Sequence, residues 1–297
     1  MKIIDAHIHF YNNQVNKHSF LDETDPKYEA FVGDYSSMPR IYLPKDYLED
    51  TKGLEVEGVV WHEFLSEDPI KEAKWAQEIC KQSKFKTAMV TIVDFLDPDL
   101  EKMLEEYSAL PSVTAVRQHL VWHPTDERKR FANRPDILSD PNWQKRLGIL
   151  KQYDFKCGLE VFAHQLPDVL KVVKLYPEIG FTIAVMGWPV DLSEEGFKAF
   201  RRDIKNLGLC ENTCASVSAI ECIFGMNWSL EQVRPWVMEV IEAFGPNRTM
   251  FGSHMPISNL SCNFEKLFDA YLSITEGFSS DEKEDMFHHV AASWFNI

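Results

Sequence analysis

The chain has 297 residues, of which 45% are hydrophobic and 26% are charged, enough for one large barrel or two ordinary domains. Its formal net charge of −15 argues against nucleic acid or an anionic membrane as a partner, because both require surfaces rich in Lys and Arg. No apolar run approaches the ~20 residues that cross a bilayer. The six cysteines lack the dense spacing of a disulfide scaffold. These features predict a soluble cytoplasmic enzyme.

Strand and helix patterns alternate along most of the chain. Eight apolar segments are predicted strands: 3–6, 56–61, 87–93, 113–117, 157–162, 181–185, 210–217 and 250–252. Helical periodicity predicts helices over 71–81, 98–107, 141–153, 166–176, 194–207 and 230–244. We therefore expect residues 1–297 to form a single α/β domain, a (β/α)8 TIM barrel. A doubly wound open sheet is the alternative, but no Gly-x-Gly-x-x-Gly follows a strand to support it.

The segment 11–50 does not fit this alternation. It is polar and aromatic, with several Tyr and Phe residues among Asn, Asp and Pro. Because it follows the first strand, it predicts a long insertion over the mouth at the C-terminal ends of the strands, where long ordered loops are often functional. A surface flap without ligand contact is the alternative interpretation.

Two histidines lie at the end of the first predicted strand. Residues two apart on a strand face the same way, so His7 and His9 present two imidazoles side by side. Such a pair could hold a divalent metal or a substrate oxygen.

Several segments carry a resemblance to a known family. Residues 5–10 read Asp-Ala-His-Ile-His-Phe, which resembles the first-strand motif of the amidohydrolase-related family of lactonases and small-acid hydrolases. The resemblance continues, in order and over nearly the whole chain, at 60–63, 115–118, 122–124, 164–167, 234–236 and 244–253. It implies a TIM-barrel hydrolase of the amidohydrolase superfamily with its site at the C-terminal strand ends.

Candidate substrate-binding residues follow the predicted strands. Arg117 ends a strand on the catalytic face, and its guanidinium suits a substrate carboxylate or lactone carbonyl; pairing with a structural acid such as Glu63 is the alternative. Glu63 also follows a strand end and could orient His9 or Arg117. His119 and His123 follow Arg117, and histidines exchange protons near neutral pH; backbone hydrogen bonds are their alternative. His164 follows the fifth strand, or simply caps a helix start.

The chain departs from the family pattern at two positions. Val185 stands where many relatives have a histidine after strand six, and His254 stands where they usually have an aspartate after strand eight. A catalytic zinc needs about three protein ligands, which His7, His9 and His254 could supply. His254 could not then also act as the base. We therefore expect divalent metal binding at His7 and His9 to be weak or absent.

The resulting functional prediction is a hydrolase of a lactone or related cyclic ester of a small carboxylic acid, possible without metal. His254 is the expected general base, His7 and His9 are expected to donate hydrogen bonds to the developing oxyanion, and Arg117 is expected to hold the acid. The alternatives are a decarboxylase, hydratase or isomerase on the same scaffold, or a catalytically reduced member that binds a small ligand. The expected partner is a small anionic or cyclic-ester molecule, and the oligomeric state stays open.

Overall fold

The computed structural model describes residues 1–297. Its strands are β1 (Ile3–Ile8), β2 (Tyr11–Asn12), β3 (Ile41–Tyr42), β4 (Val56–His62), β5 (Lys86–Ile92), β6 (Val113–His119), β7 (Lys156–Glu160), β8 (Phe181–Ile183), β9 (Thr213–Val217) and β10 (Thr249–Phe251). Its helices are α1 (Ser19–Asp22), α2 (Pro26–Val32), α3 (Pro44–Asp50), α4 (Pro69–Gln82), α5 (Leu100–Ser108), α6 (Pro141–Leu147), α7 (Leu166–Leu175), α8 (Glu194–Gly208), α9 (Ile220–Phe224), α10 (Leu230–Phe244), α11 (Phe264–Ile274), α12 (Ser280–Glu284) and α13 (Val290–Phe295).

Eight parallel strands pair in chain order, β1-β4-β5-β6-β7-β8-β9-β10, which confirms the TIM barrel. All eight predicted strands are present. The seventh starts three residues later than predicted, at Thr213, because Cys210 belongs to the turn that leaves α8. Its N–H donates to the Leu207 carbonyl, and its own carbonyl accepts from Thr213 N–H. No helix is both long and apolar enough to span a membrane.

The barrel closes between β1 and the residues just after β10. Ile8 forms a parallel bridge with Met255, and His9 N–H donates to the Met255 carbonyl at 2.8 Å. Asp5, fully buried, accepts hydrogen bonds from the Ser253 backbone N–H at 2.7 Å and the Tyr47 hydroxyl at 2.9 Å. Burial raises the pKa of Asp5 to about 6, although these donors favour its charged form. The closure fixes β1, and with it His9, beside the loop that follows β10.

The C-terminal helix α13 plugs the end of the barrel at which the strands begin. Small or aliphatic side chains of alternate strand positions, among them Ala6, Ala88 and Ala115, form a buried cluster with Val290 and Phe295. Alanines leave space inside a barrel, and the Phe295 ring, 1% exposed, packs against the same cluster. The open end is therefore the one at the C-terminal ends of the strands.

The segment 11–50 contains short elements. Strands β2 and β3 pair antiparallel, with Tyr11 opposite Tyr42, and the Tyr11 hydroxyl donates to the Pro39 carbonyl at 2.7 Å. Helix α2 begins with Pro26 at its first position, and the Asp25 carboxylate accepts from the backbone N–H of Lys27. Phe31 of α2 also packs against Trp188 in the loop that follows β8, with 5.4 Å between the ring centroids, which places α2 against the barrel.

Candidate active site

A cavity lies at the C-terminal ends of the barrel strands. It contains about 510 Å³ of space between atoms, its open mouth included. Residues from the ends of β1, β6 and β7 line it together with residues that follow β4, β8, β9 and β10. Side chains of α2 also line the cavity, so part of the segment 11–50 contributes to its wall.

Three histidine side chains converge at the floor of the cavity. His7 lies in β1, His9 follows its last residue, His254 follows β10, and one ring nitrogen of each lies within 4.8 Å of the other two. Gly252 permits this approach, because a Cβ there would lie 2.6 Å from the backbone nitrogen and the Cβ of His7. These are the three histidines that the sequence offered as a set of metal ligands, and the closure of the barrel brings their rings together.

Burial keeps His7 and His9 neutral. It lowers the pKa of each well below the ordinary value, and neighbouring histidines and Arg117 lower it further. His9 Nδ1 lies 2.8 Å from the His62 carbonyl. Since a carbonyl only accepts, the single ring hydrogen of His9 is on Nδ1, and Nε2 carries a lone pair. A neutral His9 therefore has no hydrogen left for an oxyanion, which removes the donor role expected for it.

His254 is backed by a carboxylate. Its Nδ1 lies 2.5 Å from Oε1 of Glu221, and both residues are buried. The Nδ1 hydrogen therefore points to Glu221, and Nε2 is the other ring nitrogen. His254 has a left-handed backbone with φ of 64°, a conformation that costs a non-glycine residue free energy and persists only where its surroundings enforce it. The backbone hydrogen bond from His254 to the His7 carbonyl, 2.6 Å long, is part of that enforcement.

A fourth buried histidine, His62, stacks on His7 with 4.0 Å between the ring centroids. Its Nε2 lies 3.3 Å from the Ala6 carbonyl, and its Nδ1 has no hydrogen-bond partner. Burial lowers the pKa of His62 to about 3, with Arg117 adding to the effect. His62 is thus a neutral imidazole, as His7 and His9 are.

Arg117 is held by protein groups. It pairs with Glu160 through Nη1, and its Nη2 donates to the Glu63 carbonyl at 2.5 Å. His119 Nδ1 lies 2.7 Å from the other oxygen of Glu160. Burial alone would raise the pKa of Glu160, but Arg117 and His119 outweigh it and hold that pKa below its usual range. Arg117 therefore lines the cavity as part of an ion pair, and the structural acid that pairs with it is Glu160.

Three candidate residues lie away from the cavity lining. The Glu63 carboxylate accepts from the backbone N–H groups of Leu65 and Ser66 at 2.8 and 2.7 Å. His123 Nδ1 accepts from the Asp126 N–H at 2.9 Å. His164 is exposed, and its Nε2 lies 3.0 Å from the Trp122 carbonyl. In this structure all three make loop hydrogen bonds, and His123 and His164 line a different surface cleft.

The wall of the cavity is largely apolar. Eleven of its 17 lining residues are hydrophobic. One of them is Val185, which stands where many relatives have a histidine. Its backbone is left-handed, with a φ of 49°. Because β-branched residues rarely adopt that conformation, the loop after β8 is a strained part of the site.

Sequence reasoning missed His62, Glu160 and Glu221. His62 and Glu160 are the last residues of β4 and β7, and Glu221 lies in α9, four residues after β9. A charged residue at an alternate position of an otherwise apolar strand was the available signal for Glu160. Nothing in the local sequence of Glu221 indicates that it contacts His254.

The profile of the amidohydrolase family matches residues 4–297, which is nearly the whole chain. The chain belongs to the amidohydrolase family. This agrees with the resemblance seen in the sequence, and with the site at the C-terminal strand ends.

Two curated relatives are similar to this chain over its full length. An uncharacterized protein of Sinorhizobium fredii is 29% identical over 99% of this chain and 98% of its own. The L-rhamnono-gamma-lactonase of Scheffersomyces stipitis is 23% identical over 100% of this chain and 99% of its own.

Solved structures share the fold. An amidohydrolase from Burkholderia multivorans with bound zinc has a TM-score of 0.81 at 18% identity, with both chains covered completely. A 2,6-dihydroxybenzoate decarboxylase in complex with 2,6-dihydroxybenzoate has a TM-score of 0.65 at 12% identity, again over both whole chains. The chain is therefore an enzyme of the amidohydrolase family, and its barrel is the scaffold that these solved structures share.

Proposed function

We propose that this amidohydrolase is a hydrolase that opens a lactone or related cyclic ester of a small carboxylic acid. The observation that carries the proposal is the set of three converging imidazoles, because histidines whose other ring nitrogen is hydrogen-bonded are the usual ligands of a water-activating metal. The similarity to an L-rhamnono-gamma-lactonase supports a ring ester as the substrate. A ring ester is also activated relative to an amide.

The donor set fits a divalent cation such as zinc, which argues against the expected weak metal binding. His7 Nε2 is buried without a hydrogen-bond partner, His9 directs its only hydrogen to the His62 carbonyl, and His254 directs one to Glu221. His7, His9 and His254 would therefore hold the ion with nitrogen lone pairs. When bound, such an ion polarises a carbonyl and activates water near neutral pH, so that the missing aspartate is not required as a base.

His119, paired with Glu160, would supply the proton that the leaving ring oxygen of the lactone needs. Glu160 remains a carboxylate because Arg117 holds its pKa low, and it can stabilise a charged His119 ring through Nδ1. His119 lines the cavity; its Nδ1 lies 2.7 Å from Glu160 without hydrogen-bond geometry, and its Nε2 has no partner at all. We assign His119 Nε2 as the donor of the proton to the ring oxygen when the C–O bond of the lactone breaks. Arg117 positions Glu160 for this role.

The test is a hydrolysis assay with a panel of sugar and aromatic lactones on the purified protein. His119→Asn should lower kcat by about 100-fold or more, the usual scale of general acid–base catalysis. His289→Asn is the matched control, since His289 is an exposed histidine that does not line the cavity and pairs with Asp285. Decarboxylation of an aromatic acid without opening of any lactone would contradict the proposal.

A further inference from the structure

The upper wall of the cavity is aromatic. Tyr28 and Phe31 from α2 line it together with Phe64, Phe131 and Trp188; we call these five residues the aromatic wall. The rings contact one another: Phe31 lies 5.4 Å from Trp188 and 5.2 Å from Phe131 between ring centroids. Such a surface favours a flat apolar group, because aromatic rings prefer stacked or edge-to-face partners.

The aromatic wall offers few hydrogen bonds. Tyr28 is 7% exposed, and its hydroxyl is buried with no hydrogen-bond partner. Burial raises the pKa of Tyr28 well above its usual value, so the hydroxyl keeps its hydrogen. A buried polar group without a partner is costly, and a substrate atom that accepts from Tyr28 would remove that cost.

Arg117, Glu160 and His119 on the floor contact one another, and the two nitrogens there without a partner, His7 Nε2 and His119 Nε2, are assigned to the cation and to the ring oxygen of the lactone. Arg117 and Glu160 form an ion pair, and His119 contacts Glu160. A polyhydroxylated sugar lactone would bring several hydroxyls against the aromatic wall, and burying a hydroxyl without a hydrogen bond is unfavourable. A single hydroxyl or carbonyl, by contrast, can be satisfied by Tyr28.

We propose that the aromatic wall selects a lactone that carries an aromatic ring with one hydrogen-bonding substituent, held by Phe31 and Tyr28, and that it rejects sugar lactones. The inference rests on the proposed lactone hydrolysis and names its substrate class. It assigns the specificity to α2, within the insertion after the first strand.

The experiment compares dihydrocoumarin, a ring-hydroxylated dihydrocoumarin and L-rhamnono-gamma-lactone as substrates of the full-length protein. Wild type should open the aromatic lactones with kcat/KM at least about tenfold higher than the sugar lactone. Phe31→Ala should raise KM for dihydrocoumarin about tenfold, and Phe31→Leu, which keeps an apolar side chain, should raise it less. Tyr28→Phe should remove the preference for the hydroxylated probe. Tyr153→Phe is the control, because Tyr153 is a partly exposed tyrosine that does not line the cavity.

Binding separates this inference from the proposed function. The lactam analogue of dihydrocoumarin cannot be opened readily, and calorimetry measures its affinity whether or not the protein hydrolyses lactones. If no lactone is opened but the lactam binds to wild type and about tenfold more weakly to Phe31→Ala, the proposed hydrolysis fails and the aromatic site stands. Equal or faster hydrolysis of the sugar lactone, or lactam binding unaffected by either α2 substitution in correctly folded protein, overturns the inference.

Discussion

Glu221→Gln removes the charge behind His254 and keeps the size of the side chain. Glu221 is 2% exposed, and its Oε1 lies 2.5 Å from His254 Nδ1. A glutamine oxygen can still accept the same ring hydrogen, so the imidazole should keep its orientation. The substitution therefore isolates the electrostatic contribution of the carboxylate to the three-histidine site.

The expected loss of zinc affinity follows from the charge that the substitution removes. A unit charge on the ring, about 4 Å from the carboxylate, would interact by about 4 kcal/mol at an effective dielectric constant near 20. A bound cation shares only part of its charge with one ligand, so the loss should be smaller. Loss of an outer partner of a metal-bound histidine typically costs about 10–100-fold, or about 1.4–2.7 kcal/mol. We expect zinc affinity and kcat/KM to fall within that range.

The assay is a competition titration of zinc against a chelator, together with kcat/KM on the best lactone. Glu57→Gln is the matched control, since Glu57 also contacts a histidine, His288, at 2.8 Å but does not line the cavity. Unchanged zinc affinity and rate in folded Glu221→Gln protein would refute the reasoning. An equal loss in Glu57→Gln would refute it as well, because the effect would then not be specific to the site.

Three other substitutions test separate parts of the structure. Burial raises the pKa of Glu72 to about 8 from 4.5, so the folded state keeps a proton that the unfolded state releases. The free energy of unfolding should therefore fall as pH rises between those values. Glu72→Gln should flatten that decline, as measured by urea titrations at several pH values. Phe295→Ala should cost about 3–5 kcal/mol of unfolding free energy by emptying the barrel plug, and a change below 1 kcal/mol in thermal unfolding would argue against the plug. Arg117→Lys keeps the charge but loses the two-pronged contact with Glu160 and the Glu63 carbonyl, so kcat/KM should fall about tenfold to a thousandfold; wild-type activity would remove its assigned role.

The barrel could be predicted from the sequence because its determinants are local. Each strand is an apolar segment followed by a segment with helical periodicity. When such strands pair in parallel and in chain order, their C-terminal ends lie together, and the functional residues follow those ends. The convergence of His7 with His254 was also within reach, since both flank strand ends that meet when a barrel closes. The hydrogen bond that joins their strands, from the Ser253 N–H to Asp5, links residues that are 248 positions apart in the sequence.

The partners of the site residues could not be predicted in the same way. Arg117 was expected to face the substrate or pair with Glu63, and it pairs with Glu160 from the neighbouring strand. The choice depends on side-chain direction at the strand ends, which sequence spacing does not define. The role of His9 changed for a similar reason, because the His62 carbonyl determines which ring nitrogen carries the hydrogen.

Zinc titration of the chelator-treated, full-length protein tests the central claim that His7, His9 and His254 bind a divalent cation. Calorimetry should show a single saturable site with a Kd below about 1 μM. His9→Asn should weaken zinc binding by more than about 100-fold, which is the upper end of the loss expected when only a hydrogen-bond partner of a ligand is removed. His289→Asn should leave zinc binding unchanged. No saturable binding, together with lactone hydrolysis that survives exhaustive chelation, would contradict the account and favour a metal-free reaction with His254 as the base.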